Sequence, residues 1–335
     1  MQKRNKLQNW IALASLILGV TCIAGKLHAE QAADFPPGVF SDGGRYQLSD
    51  FSGKAVVLFF FESECPTCKG LIPKRNEVVA KFKGRPVKFI AVGPHNSLSG
   101  AKAYVMETKL AMPVFADNLN IMETMYGQEI SLQNIYQFRL IDPKGHSSYV
   151  DFTADAIEKA IKDVKWKYKE KGYNPGLNGI IEMLEWNQFE PAMNQLRPLR
   201  KAGSKPLAES AENLYQQVRT EALAWQKEAD KLSDSNPAKA YDLYNRIANM
   251  FVGDDLAKEV AEPLKLSKAS KIVQSELAAR QEFSQLYTVV PKAQFKQRDQ
   301  VALFCAAIIT KHPGTPTAGK AKLLAEAIGK APEVK

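Results

Sequence analysis

The stretch Phe59-Phe60-Phe61-Glu62-Ser63-Glu64-Cys65-Pro66-Thr67-Cys68-Lys69-Gly70 decides the fold of the first half of this 335-residue chain. The apolar run Ala55–Phe61 predicts a buried strand, and a helical pattern follows the two cysteines. A C-x-x-C pair between a strand and a helix is typical of a thiol–disulfide site. The free N–H groups and the positive end of the helix favour a thiolate at Cys65. Cys68 follows about one turn later, close enough to form a disulfide bond with Cys65.

The first 29 residues have the pattern of a secretion signal. A basic start, Lys3–Lys6, precedes the apolar run Ile11–Ala24, which is too short to span a bilayer comfortably. Leu27-His28-Ala29 is a usable small-residue cleavage site. We therefore expect residues 1–29 to be a signal peptide cut after Ala29. The mature protein would be periplasmic or otherwise extracytoplasmic, touching a membrane only through an uncleaved signal.

The composition is that of a globular protein of about two domains, with 45% hydrophobic and 24% charged residues. Removing residues 1–29 lowers the formal charge from +9 to +5, because the segment holds four basic residues and no acidic ones. Much of the basicity thus belongs to the leader, and a nucleic-acid partner is not expected. The remaining cysteines are one close pair and the distant Cys305, which suggests a redox-active pair rather than a disulfide framework.

Strand and helix patterns alternate between residues 35 and 169, which predicts an α/β domain with a partly parallel sheet. The predicted strands are an edge strand or hairpin at Arg45–Phe51, then Ala55–Phe61, Pro86–Val92, Pro113–Ala116, Phe138–Ile141 and Tyr149–Phe152. The predicted helices follow Cys68 and also cover Ser99–Lys109, Met122–Tyr126 and Ala154–Lys169.

Residues 35–168 resemble extracytoplasmic thioredoxin-fold proteins of the redoxin or TlpA-like branch. The segments that carry the resemblance are Tyr46–Lys54, Val56–Phe61, Cys65–Cys68 and Leu140–Gly145. The resemblance implies a thioredoxin-like fold and an oxidoreductase that exchanges disulfides with protein or thiol substrates. It also implies that Cys65 is the exposed nucleophile and Cys68 the buried resolving thiol, with no cofactor or metal.

Residues around the pair should modulate it. Pro66 suits the first turn of a helix, where its missing N–H costs nothing. Thr67 is polar and supplies no charge. Glu64 stands where the resembled family usually has tryptophan, and an anion beside a thiolate raises its pKa. Glu62 is the candidate to replace the family's buried acid, which the apolar strand lacks.

The resembled family also places a cis-proline just before its later strand. Counting back from Leu140-Ile141-Asp142 puts Tyr136 or a neighbour at that position, and no proline lies between Pro113 and Pro143. In the family, that proline shapes the substrate groove and keeps metal ions away from the thiols. The site is therefore expected to be atypical.

Three alternatives for the pair stay open. The cysteines could form an inert disulfide in a scaffold protein that works by binding. They could hold copper together with a histidine, His95 or His146, although copper-delivery relatives use a longer cysteine spacing. A peroxiredoxin is a further alternative, since Cys65-Pro66-Thr67 resembles the residues after a peroxidatic cysteine, but the required upstream proline and threonine are absent.

After a boundary at Gly172–Gly176 the patterns are helical only, which predicts an α-helical repeat domain over residues 177–330. The basic run Lys165–Lys171 is interpreted as a helix C-terminus. Apolar residues between Ile181 and Leu196 predict one helix, and the stripe Ala211–Leu232 predicts another. Trp186 and Trp225 are expected in the core.

Two segments of this half repeat at an offset of 61 residues: Ala240, Leu243, Tyr244, Ile247 and Ala248 align with Val301, Phe304, Cys305, Ile308 and Ile309. Gly253 aligns with Gly314 at the same offset. The alignment predicts a helix–glycine turn–helix unit used twice, with Cys305 as a buried free thiol. The turn His312–Ala318 resembles those of tetratricopeptide-type envelope proteins, which implies a possible envelope protein partner for this half.

Overall fold

The computed structural model describes residues 30–94, 96–131 and 134–330, so the predicted signal peptide lies outside the described residues. The described part of the first half contains a six-stranded sheet with the order β1-β6-β5-β2-β3-β4. Strands β2, β3 and β4 are parallel, whereas β5 and β6 run antiparallel to their neighbours. The strands are β1 Glu30–Gln31, β2 Ala55–Phe61, β3 Val87–Pro94, β4 Val114–Asp117, β5 Tyr136–Ile141 and β6 His146–Tyr149.

Strand β2 is the centre of this sheet and is buried along its whole length. Because side chains alternate between the faces of a strand, Val57, Phe59 and Phe61 enter one hydrophobic cluster while the residues between them enter the other. The covering helices are α1 Pro66–Lys81, α2 Leu98–Thr108, α3 Ile121–Met125 and α4 Ala154–Ile161. The predicted α/β class is confirmed, and the fold is thioredoxin-like.

Two strand predictions in this half were wrong. Leu48–Phe51 forms a 3-10 helix rather than an edge strand, since the Asp50 carboxylate accepts from the Gln47 N–H at 2.8 Å. The return strand is β6 rather than Tyr149–Phe152. A tight turn with Gly145 at φ 86° reverses the chain, so that the return strand begins at His146. The Asp142 N–H donates to the His146 carbonyl at 2.9 Å across this turn.

Every regular element described after β6 is helical, and no described helix is both long enough and apolar enough to cross a membrane. The longer helices are α5 Asn178–Glu185, α6 Phe189–Leu199, α7 Lys205–Leu232, α8 Pro237–Met250, α9 Asp255–Glu259, α10 Ala261–Ala269, α11 Lys271–Ser284, α12 Leu286–Val289, α13 Arg298–Lys311 and α14 Pro316–Lys330. The all-α class predicted for this half is confirmed.

The single helix predicted between Ile181 and Leu196 was wrong, because the chain forms α5 and α6 there. Asn187 separates them with a left-handed φ of 58°. Trp186, at the end of α5, is half-buried and packs edge-on against Phe51 of the first half, with ring centroids 5.9 Å apart. Trp186 therefore contacts the 3-10 helix Leu48–Phe51 of the first half.

The predicted 61-residue offset is confirmed by the helix bounds, since α8 and α13 differ by 61 positions at both ends. Gly253 and Gly314 follow these helices with φ of 83° and 76°, values that favour glycine. Tyr244 and Cys305 occupy equivalent buried positions, and Cys305 is a free thiol. The predicted burial of Cys305 is therefore confirmed.

The two halves pack against each other. Leu119 and Ile121 of the first half share a hydrophobic cluster with residues of α11, α13 and α14. The Asn118 amide donates to the Val290 carbonyl at 2.9 Å. Lys54 and Glu185 form an ion pair at 3.0 Å, with side chains only 5% and 0% exposed. These contacts attach the helical half to the sheet.

The run Lys165–Lys171 is not a helix C-terminus, which corrects that interpretation, because α4 ends at Ile161. The backbone N–H groups of residues 167, 168 and 169 instead donate to the Glu185 carboxylate at 3.0, 2.6 and 2.9 Å. A connecting segment with three free N–H groups needs an acceptor, and Glu185 supplies it.

Candidate active site

Cys65 and Cys68 lie where β2 leads into α1, and both are free thiols. Cys65 is the residue that precedes the first turn, and its sulfur accepts from the Cys68 N–H at 3.3 Å. Pro66 begins the helix, as predicted from its missing N–H. Cys65 is partly exposed, whereas Cys68 is 2% exposed. A partner molecule can therefore reach Cys65 and not Cys68.

The surroundings shift the pKa values of the two thiols in opposite directions. The hydrogen bond from the Cys68 N–H lowers the pKa of the Cys65 thiol, and burial opposes this lowering. Hydrogen bonds from the Cys68 thiol, the Thr67 amide and the Thr67 hydroxyl lower the pKa of Cys65 further. Burial raises the pKa of Cys68 to about 12, and its hydrogen bond with Cys65 and the charge of Cys65 contribute. Cys65 is therefore the thiol that ionises first.

Tyr136 lies at the position expected for the family's proline, opposite Phe61 in the register of β2 and β5. Its side chain is 37% exposed, and no cis peptide bond occurs within the described ranges. The neighbouring Ile135 carbonyl accepts from the Cys68 thiol at 3.4 Å and from the Glu62 N–H at 3.1 Å. The chain at the start of β5 thus reaches the buried thiol through a backbone carbonyl.

Glu62 and Glu64 stand on the loop before the pair. The Glu62 carboxylate accepts from the Glu64 N–H at 3.1 Å, which orders the loop, and the Glu64 side chain is exposed. The opposing effect expected of Glu64 does not prevail, because the pKa of Cys65 is lowered by the hydrogen bonds at its sulfur.

Sequence reasoning missed several residues near the pair. The Thr67 hydroxyl takes part at Cys65, although only its lack of charge was considered. Arg75 lies 5.0 Å from the Tyr136 ring centroid and 4.7 Å from that of Phe138. Glu123 of α3 is a buried acid whose pKa is raised by burial and, in part, by the charge of Glu62. No local sequence signal marks these residues, since tertiary packing brings them together.

His146, one of the two histidines named by the copper alternative, is not beside the pair. Val56 pairs with Ile141 in the sheet, so the β5–β6 turn and His146 lie at the opposite end of β2 from Cys65. Seven strand residues separate the two ends by on the order of 20 Å. His95 lies outside the described residues, and no cluster of three or more metal-ligating side chains occurs among those that are described.

Comparison with known proteins finds similarity in the first half of the chain. Residues 29–149 match the AhpC/TSA family. The thiol-disulfide oxidoreductase ResA of Bacillus thuringiensis subsp. konkukian is 31% identical over 86 residues, covering 26% of this chain and 50% of the relative. ResA of Bacillus subtilis is 31% identical over 96 residues, covering 28% of this chain and 54% of the relative. The chain spans about half the length of the curated relatives it matches.

Solved structures are also similar to part of the chain. A thiol:disulfide interchange protein of the thioredoxin family from Chlorobium tepidum is 22% identical, with a TM-score of 0.33, covering 41% of this chain and 96% of that one. A secreted Mycobacterium tuberculosis disulfide oxidoreductase is 18% identical, with a TM-score of 0.31, covering 38% of this chain and 93% of that one. Its match over residues 29–149 makes the first half of the chain similar to proteins of the AhpC/TSA family.

Proposed function

We propose that this protein is a thiol–disulfide oxidoreductase that works through Cys65 and Cys68. The asymmetry of the pair carries the proposal: an accessible thiol with a lowered pKa stands beside a buried thiol with a raised one. Thiolates are the attacking species in exchange, so Cys65 is the nucleophile and Cys68 the resolving thiol. The similarity of residues 29–149 to the AhpC/TSA family and to ResA proteins supports the same chemistry.

The reaction has two steps. The Cys65 thiolate attacks a substrate disulfide, forms a mixed disulfide and releases one substrate thiolate, which takes a proton from water. Cys68 then attacks the Cys65 sulfur, closing the Cys65–Cys68 bond and releasing the second substrate thiolate. The cysteine pair loses two electrons and the substrate disulfide gains them. Run in reverse, the same steps oxidise a substrate dithiol.

Insulin reduction by the purified protein tests this function. The expected result is dithiothreitol-dependent turnover that disappears in Cys65→Ser, while Cys68→Ser accumulates a mixed disulfide detectable by mass spectrometry. Cys305→Ser is the matched control, because that thiol is buried far along the chain in α13. Equal inactivity of the wild type and Cys65→Ser, with insulin and with a glutathione mixed disulfide, would instead favour the binding scaffold.

The redox potential of the pair assigns the direction of exchange. A value near that of thioredoxin, about −270 mV, would mark a reductase, and one near that of DsbA, about −120 mV, would mark an oxidant. A value below about −300 mV would mark a structural disulfide, which is the inert alternative.

We also propose the division into a thioredoxin-like domain at 35–169 and a tetratricopeptide-like domain at 177–330, in an extracytoplasmic protein whose signal, residues 1–29, is removed. The repeated helix–glycine turn–helix unit supports the second domain as a surface for an envelope protein partner. N-terminal sequencing of the protein from the producing cell tests the leader, and a first residue other than Glu30 would contradict cleavage after Ala29.

A further inference from the structure

Tyr104 of α2 lies against the part of α1 that carries the cysteine pair. Its side chain is 4% exposed, and its ring centroid is 4.6 Å from that of Phe61, the last residue of β2. Tyr104 shares a hydrophobic cluster with Ile72, which is one turn beyond Cys68. One turn along α2, Glu107 forms an ion pair at 3.0 Å with Lys69, the residue after Cys68. The shared cluster and the ion pair therefore place this face of α2 beside the start of α1, where Cys68 stands.

The Tyr104 hydroxyl is buried and has no hydrogen-bond partner among the described residues. Other buried tyrosines are satisfied: the Tyr126 hydroxyl donates to the Ala33 carbonyl at 2.6 Å, and that of Tyr168 donates to Glu221. A buried hydroxyl without a partner destabilises the fold, and phenylalanine would fill the same space without that cost. The hydroxyl therefore needs an explanation beyond packing.

We propose that the Tyr104 hydroxyl donates a hydrogen bond to the Cys68 thiolate when Cys68 resolves the mixed disulfide, which makes Tyr104 a catalytic residue of that step. This inference rests on the proposed function. In the step, Cys68 loses its proton to solvent and attacks the Cys65 sulfur. The Cys65–Cys68 bond forms, the bond from Cys65 to the substrate breaks, and the departing substrate thiolate keeps the electron pair and takes a proton from water.

Cys68 needs such a donor because its surroundings oppose its ionisation. Burial removes it from water and outweighs the hydrogen bond from the Glu62 N–H, and the Glu62 carboxylate repels an anion at Cys68. The charge of Cys65 adds to this only in the reduced pair, because Cys65 is uncharged in the mixed disulfide. Burial and the charges of Cys68 and Cys65 raise the pKa of Tyr104, so the phenol stays protonated and can only donate. A neutral donor stabilises the thiolate without taking its proton.

Reaction of the reduced protein with dithiobis(nitrobenzoate) separates the two steps, since attack by Cys65 and resolution by Cys68 each release one thionitrobenzoate. In Tyr104→Phe we expect an unchanged first release and a second release slowed about tenfold or more, because hydrogen bonds to charged groups are the stronger ones. The thermal midpoint should stay equal or rise, because an unsatisfied hydroxyl is removed. Tyr126→Phe is the matched control on the other face of the sheet, with a lower thermal midpoint and both releases unchanged.

An unchanged second release in Tyr104→Phe, when Cys68→Ser abolishes that release, would overturn the inference and leave the exchange function standing. Slowing of both releases together with a lower thermal midpoint would indicate a packing role and would also overturn it. If the wild type shows no second release, the exchange function fails. The hydrogen bond from Tyr104 is then tested separately, by labelling Cys68 in a Cys65→Ser background. Adding Tyr104→Phe there should raise the pH midpoint of labelling, and an unmoved midpoint would refute the hydrogen bond.

Discussion

Replacing Glu185 by glutamine should loosen the attachment of the helical half to the sheet. The Glu185 carboxylate is buried, accepts three backbone N–H groups of residues 167–169 and pairs with Lys54 at 3.0 Å. Glutamine keeps the shape and one acceptor oxygen but leaves the Lys54 ammonium, 5% exposed, without a counter-charge. Breaking a buried pair from one side costs about 3–5 kcal/mol. Because glutamine retains one acceptor, we expect a loss of about 3 kcal/mol in the free energy of unfolding.

Urea unfolding of the wild type and Glu185→Gln measures this loss at neutral pH. The matched control is Glu182→Gln, one turn earlier in α5, whose partner Lys169 and whose own side chain are 29% and 52% exposed. Exposed pairs contribute about 0–1 kcal/mol, so the control should remain near the wild type. A Glu185→Gln loss no larger than that of the control would refute the argument that burial makes this pair important.

The pH dependence follows from the same carboxylate. Hydrogen bonds from the N–H groups of Tyr168, Lys169 and Lys167 and from Lys54 outweigh burial and lower the pKa of Glu185 below its ordinary value of 4.5. The contribution of the Glu185 carboxylate to the free energy of unfolding is therefore complete above pH 4.5. It is lost as the pH falls through the lower pKa that Glu185 has in the folded protein. The difference between the wild type and Glu185→Gln should shrink on acidification, and a constant difference down to about pH 3 would contradict the linkage.

Cys65 should react with iodoacetamide with a pH midpoint below the ordinary thiol value of 9.0, because the Cys68 N–H and Thr67 stabilise its thiolate. Thr67→Val should raise that midpoint while Thr153→Val, at the start of α4, leaves it unchanged; equal midpoints in all three proteins would contradict the role of the Thr67 hydroxyl. Asn187→Ala should destabilise the protein by about 1 kcal/mol, since asparagine adopts the left-handed φ of 58° more readily than alanine does. Asn187→Gly, measured by urea unfolding, should lose less, and an equal loss in both variants would show that the side-chain bonds of Asn187 matter more than its backbone.

Local patterns were sufficient for the elements whose signals are continuous in the chain. The apolar run Ala55–Phe61 predicts β2 at its observed bounds, because a strand buried on both faces needs an unbroken apolar sequence. Pro66 marks the start of α1, and the 61-residue offset predicts the spacing between α8 and α13. Patterns failed at Arg45–Phe51, where a hydrogen bond between neighbours competes with strand pairing, and at Asn187, where one backbone angle divides a helix.

The sequence by itself determined that a cysteine pair stands where a buried strand leads into a helix, since the C-x-x-C spacing and the helix start are local. Only the tertiary structure decided which distant groups surround the buried thiol. The Ile135 carbonyl, which accepts from the Cys68 thiol, and Tyr104 of α2, which packs against Phe61, come from two separate segments. The same holds for Glu185, whose partners are Lys54 and the segment 167–169. Burial and hydrogen bonding depend on which distant segments pack together. The spacing of residues within one segment does not predict that packing.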